Sequence, residues 1–338
     1  MKKRLILAAM AAIMTMTAAI AQQIAVVSEG GETSVYQTFQ AAIEGASPNS
    51  VIYLPGGGFP LPDSVKITKK LTIIGIGHRS DNDNVDGITT ISGNLWFNEG
   101  SSGSAVMGCY ITGDVNIGDG DASVNNVLIK CCNLNSVQVR NNTCSNTQVN
   151  QNYIRSHSFF RGGSGKLSNN IMFTLQGLNG GSILNNIVTG YRRVGDYNEY
   201  AVEADNSLIS YNIVFFKVWH SGWTGNVAGA NIRGSNNQGT SNIVYGASSD
   251  WGDNPINLTD SDWNDVFVNY NGGAINPMTD FHFTEAYQQY SYVGIYGGSG
   301  FNDHQTAPVP YITGKQIDQE TDAAGQLGIK IRVKASGD

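Results

Sequence analysis

Beyond its first 21 residues the 338-residue sequence has no run apolar enough to cross a membrane, no long helix-forming stretch, and little charge, 14% of residues. The first absence excludes a multi-spanning helical membrane protein, whose helices each need about 20 consecutive apolar residues. The second excludes a helical bundle. Disorder is excluded too, because 41% of residues are hydrophobic and aromatics are well represented. Histidine is scarce, with five copies, and no His or second Cys pair stands at zinc-ligand spacing, so no metal site is expected. The four cysteines, Cys109, Cys131, Cys132 and Cys144, cluster in one part of the chain. An exported chain permits disulfides, and three pairings are open.

What is present begins with an address. Lys2, Lys3 and Arg4 precede an uncharged run from Leu5 to Ile20, and Ala19-Ile20-Ala21 supplies a small-x-small cleavage pattern. The pattern predicts an export signal over 1–21, with Gln22 opening the mature chain, in the periplasm, at the cell surface or outside the cell. No cysteine lies near the cleavage point to carry a lipid anchor. Cleavage removes three of 20 basic residues and none of 27 acidic ones, leaving a net charge of −10. That balance argues against nucleic acid or an anionic membrane as a partner.

Glycine is abundant, with 41 copies, and asparagine makes up roughly one residue in ten, as in chains of short strands joined by turns. Ser34 and Gln37 predict a capping box for a first helix carrying Tyr36, Phe39, Ala42 and Ile43. The β-prone runs Val51–Leu54 and Leu71–Ile74 follow. From about residue 105 a motif recurs: an aliphatic residue, Asn three positions later, and an aliphatic residue two further on. Val149-x-x-Asn152-x-Ile154, Leu167-x-x-Asn170-x-Met172, Ile183-x-x-Asn186-x-Val188 and Ile209-x-x-Asn212-x-Val214 fit it, with a weaker copy at Asn242. Cys109 and Cys132 occupy the Asn slot in two earlier copies. The slots thus fall at positions 109, 132, 152, 170, 186, 212 and 242. Such regular but unequal steps signal a solenoid with one coil per repeat and insertions in its turns. Stacked coils would let each Asn amide donate to and accept from its neighbours about 4.8 Å away. Cys109 and Cys132 would stack likewise, close enough for a disulfide, though buried thiols are the plainer reading.

These features predict an all-β right-handed parallel β-helix over 22–305, with a short N-terminal capping helix and a short C-terminal β tail over 306–338. The tail follows from Tyr311-Ile312 and the alternating Leu327, Ile329, Ile331 and Val333. Phe39–Ile43, Ile52–Gly57 and Leu71–Gly77 resemble the entry into the first coils of the pectin-lyase-like family of right-handed β-helix proteins. Asp280–Phe283 with Val293–Gly298 resembles the closing coil of its secreted bacterial members. The resemblance covers about 34–300 and implies a scaffold on which enzymes cut acidic polysaccharides. The family's hydrolytic set combines Asn-x-Asp, Asp-Asp, Gly-His-Gly and Arg-x-Lys, and here there is no Asp-Asp pair and no His between glycines, so hydrolysis is not expected.

Lyase chemistry needs a base and a cation or Ca²⁺ at the uronate carboxylate. No acidic residue lies between 122 and 195, so the middle coils offer no Ca²⁺ cluster. That stretch instead holds Lys130, Arg140, Arg155, Arg161, Lys166, Arg192 and Arg193, a local +7. His157 at +5 from its Asn slot, Arg192 at +6 and Lys217 at +5 are expected to line one sheet edge if coils stack in register. The candidate glycan-binding residues are therefore Arg155, His157, Arg161, Tyr191, Arg192, Arg193, Lys217, Trp219 and His220. Phe159, Phe160 and Trp223 also follow strands, where sugar rings stack or where rings simply cover the core. The acidic group Asp196, Glu199, Glu203 and Asp205 is read as a surface ion-pair network, an active-site rim or a Ca²⁺ site, and Asp250, Asp253, Asp260, Asp262 and Asp265 as a Ca²⁺ loop whose spacing misses the EF-hand pattern. Three functions stay open: a non-catalytic binder of acidic polysaccharide, a polysaccharide lyase acting by β-elimination, and a structural or adhesive rod meeting a protein through its tail.

Overall fold

The computed structural model describes residues 23–79, 87–189, 191–193, 200–214, 217–219, 227–228, 232–245, 256–258, 263–270, 276, 279–303, 306–307, 311–317 and 329–334. The expected export signal lies outside these. The chain is mostly β. A sheet of 23 strands, nearly all parallel, dominates it. No described helix is long and apolar enough to cross a membrane.

Short β-branched runs form the strands, and left-handed residues turn the chain between them. The residue just before each Asn or Cys slot has positive φ: Gly108, Cys131, Gln151, Asn169, Asn185, Tyr211 and Ser241. This single-residue bend ends one strand and starts the next. Each strand then pairs in parallel with its counterpart one repeat away, which yields three ladders. In the first, Ile52, Ile73, Val106, Ile129, Val149, Leu167, Ile183 and Ile209 stand in register as one inward column. All are at most 1% exposed. Each such burial contributes about 1.5–3 kcal/mol before entropy is charged against it. The second ladder stacks Leu134, Ile154, Met172, Val188, Val214 and Val244 inward. The third stacks Phe97, Ile117 and Val139.

Strands β1 (Ile24–Val27), β2 (Thr33–Tyr36) and β3 (Val51–Leu54) begin the first ladder, with β1 antiparallel to both others. Helix α1 (Phe39–Gly45) buries Phe39, Ala42 and Ile43 over the adjacent core. Its start differs from expectation. Ser34 pairs with Val26 inside β2, and Thr38 is the cap, its hydroxyl accepting from the Ala41 N–H at 3.2 Å. Strand pairing of β-branched Thr33 and Val35 overrides the capping-box pattern.

The stretch expected to close the last repeat takes another course. Residues 279–303 run back along the outside, against the repeat order. Asn185 Nδ2 donates to Tyr292 O, Asn169 Nδ2 to Ile295 O and Gly297 O, and Gln151 Nε2 to Gly300 O. Arg79 then reaches Asp303 O. Beneath this strap, Val266, Phe267, Phe281, Phe283, Val293 and Ile295 bury the outward column Ile171, Ile187, Ile213 and Ile243 of the second ladder. At the C-terminus, Tyr311–Ile317 and Ile329–Lys334 form an antiparallel hairpin.

Candidate functional site

The slot residues make a continuous buried ladder. Nδ2 of Asn152, Asn170, Asn186 and Asn212 donates to Oδ1 of Asn170, Asn186, Asn212 and Asn242, at 2.9–3.0 Å. Each Oδ1 also accepts the preceding slot's backbone N–H, including that of Cys132. These groups are about 0% exposed, so every rung carries hydrogen bonds that water cannot replace. Cys109 and Cys132 continue the column as buried free thiols, as are Cys131 and Cys144. Burial pushes Cys131 and Cys132 up to about 12 and raises Cys109 well above its ordinary value, with Cys132 beside it adding to the effect. The ladder is scaffold rather than chemistry.

The candidate binding residues divide between places. Arg155 is engaged within the chain: its guanidinium lies 4.8 Å from the Tyr110 ring centre, with Nη1 on Tyr110 OH at 2.5 Å and Nη2 on Ile111 O at 2.8 Å and Thr112 O at 3.1 Å. His157 stands in the third ladder opposite Thr174, whose hydroxyl is 2.8 Å from Nδ1, with the Phe173 ring edge-on at 4.8 Å. Arg161 is exposed at a left-handed turn, φ 43°. Phe159 is exposed, whereas Phe160 is wholly buried in the core.

Tyr191, Arg192, Arg193, Lys217 and Trp219 lie instead in a separate three-stranded sheet. It is built from insertions in the two longest repeats. Tyr191–Arg193 pairs in parallel with Lys217–Trp219, which pairs antiparallel with Val227–Ala228. The register is Tyr191 to Lys217, Arg192 to Val218 and Arg193 to Trp219. The register thus brings Tyr191 beside Lys217 and Arg193 beside Trp219, with the Arg192 and Val218 pair between them. The expected line of His157, Arg192 and Lys217 is not formed: His157 belongs to another ladder, and Arg192 is one place out of step with Lys217. His220 and Trp223 lie outside the described residues.

The expected +7 surface is also dispersed. Each repeat turns through three ladders, so bases separated by only part of a repeat land on different faces. Lys130 and Lys166 sit on the first ladder, Arg140 follows the third-ladder strand Val137–Val139, and Arg193 reaches the accessory sheet. Glu203 and Asp205 are not in a turn but in the strand Val202–Ser210. Glu203 stands in register beside Arg233, and Asp205 Oδ1 accepts from Ser235 N at 2.6 Å and Ser235 Oγ at 2.8 Å. These hydrogen bonds hold the Asp205 carboxyl below the usual carboxylate range. Asp265 is exposed, while Asp196, Glu199, Asp250, Asp253, Asp260 and Asp262 lie outside the described residues.

One cluster escaped the sequence reading. Trp96, Asn116 and Gln138 share an outward row of the third ladder. Lys66 Nζ lies 4.9 Å and Arg140 Cζ 5.3 Å from the Trp96 ring centre, and Arg140 donates to Asn116 Oδ1. Lys66 pairs with Asp119 and lowers its pKa. An open cleft of about 900 Å³ adjoins it, lined by Thr68, Asn98, Glu99, Asp119, Asp121, Ala122 and Ser123. The steps from Trp96 to Asn116 to Gln138, each close to one repeat, were the available signal. The cluster's cations are spent on the indole, the amide and Asp119. The chain matches no known family, no curated protein and no solved structure.

Proposed function

We propose that this chain is an exported right-handed parallel β-helix that binds an acidic polysaccharide, without cleaving it, on the accessory sheet. The winding is supported by three parallel ladders whose partners stand one repeat apart, by the resemblance to pectin-lyase-like proteins, and by the right-handed rule for parallel crossovers. Export is supported by the first 21 residues.

The observation that carries the binding reading is the register of Tyr191 with Lys217 and of Arg193 with Trp219. It brings two aromatic and two cationic residues into neighbouring register positions. Aromatic rings stack on the apolar faces of sugars, and Arg and Lys pair with carboxylates. A uronate polymer presents both features at every unit. The test is electrophoresis through gels containing polygalacturonate, alginate or a neutral glucan, with ultraviolet absorbance followed for unsaturated uronate products. Retardation by an acidic polymer alone, with flat absorbance, is expected. Rising absorbance would establish the lyase reading, and free migration in every acidic gel would remove the binding one.

A further inference from the structure

The first ladder starts with an open edge. Among the described residues β2 pairs only with β1. Its outward row continues as Val35, Ala25 and Tyr53, and Val35 is 56% and Tyr53 43% exposed. An exposed apolar edge strand is a template for strand addition. Charge here has one sign: residues 23–62 contain Glu29, Glu32 and Glu44 and no Lys, Arg or His. The nearby Lys69 is taken up by the carbonyls of Glu44 and Ala46 at the end of α1.

The C-terminal hairpin has the complementary character. Ile329, Ile331 and Val333 alternate with Lys330, Arg332 and Lys334, so one face of that strand is apolar and the other cationic. Across the hairpin, Ile317 and Ile312 join the apolar face, interrupted by Lys315. The tail's acids, Asp318, Glu320, Asp322 and Asp338, all lie outside the two strands. A lone two-stranded hairpin is marginal in water, so an amphipathic one calls for a surface. The strap also delivers the hairpin to the right end of the molecule. Asp303 O meets Arg79, and Ala307, shortly before the hairpin begins, lies beside Gly108.

We propose that this hairpin adds to the β2 edge of a second copy of the chain. Its apolar face extends the Val35–Tyr53 row, and its cationic face lies on the side of α1 and Glu44. The occupant is a second copy because Val35 and Tyr53 stay exposed while the chain's own hairpin is formed. Because each hairpin arises at the end that carries the acidic edge, two copies exchange hairpins about a two-fold axis.

Sedimentation velocity on the mature full chain tests this, independently of any glycan. A dimer is expected, weakening as salt rises. The variant K330E/R332E/K334E should weaken it at least about tenfold. Adding E29K/E32K/E44K should restore it, a rescue that a merely misfolded tail would not show. A monomeric parent, a dimer indifferent to the tail reversal, or a failed rescue would each overturn the proposal.

Discussion

Asn186 shows what one slot residue does. Its Oδ1 accepts both the backbone N–H and the side-chain amide of Asn170, and its own amide donates to Asn212. In Asn186→Ala, two buried donors on Asn170 lose their acceptor, at about 1–3 kcal/mol each. We expect a destabilisation of about 2–6 kcal/mol by denaturant unfolding. Asn146 is also an asparagine at a turn, but its amide bonds to Asn126 in the open and its φ is 53°. Asn146→Gly, which suits that backbone, should shift stability by no more than about 0.5 kcal/mol. Asp205 supplies a pH test. Its folded pKa is depressed, so its stabilisation is present above the ordinary carboxylate range and is lost as pH falls through the folded value. Between about pH 5 and pH 2 the melting temperature should fall less steeply in Asp205→Asn than in the parent. The thiols give a fourth expectation. With Cys109, Cys131 and Cys132 buried and their pKa values raised, the native protein should not react with a maleimide near neutral pH and should label on unfolding. Prompt native labelling would contradict these placements.

The strap shows which element the sequence signalled and which meaning was overlooked. The slot asparagines and their inward aliphatic partners were legible because one polar residue type recurred at fixed offsets. The residue after the slot carried a second message. It is Tyr110 and Tyr153 in early repeats but Ile171, Ile187, Ile213 and Ile243 later. Two adjacent aliphatic residues on a strand imply that both faces are covered, and the strap is that cover. Gly294 fits it closely: φ is 77°, and an added Cβ would fall 2.5 Å from Ile213 Cδ1. Gly294→Val should lift the strap, and amide exchange should accelerate across 279–303 while the first ladder stays protected. The accessory sheet was harder to foresee. The long repeats announced insertions, and the pairing keeps the count from the slot: Tyr191 and Lys217 both stand at +5, so Arg192 at +6 falls beside Val218 rather than Lys217.

At the scale of the molecule, wide spacing of charge around three ladders leaves few places where cations and aromatics meet. The Trp96 cluster is one, and its cations are already engaged. The first ladder's outer face offers Lys130 and Lys166 among Gln148, Asn150 and Ser168, without an aromatic ring in those rungs. Among the described residues, the accessory sheet sets both a Tyr and a Trp in register with cations, Tyr191 with Lys217 and Trp219 with Arg193. Location is therefore the sharpest test of the binding reading. The measurement is titration calorimetry of oligogalacturonate into the parent, into R193E/K217E and into K130E/K166E. The account predicts that the parent and K130E/K166E bind alike while R193E/K217E loses at least about tenfold in affinity. Equal binding by all three, or loss only in K130E/K166E, would contradict it.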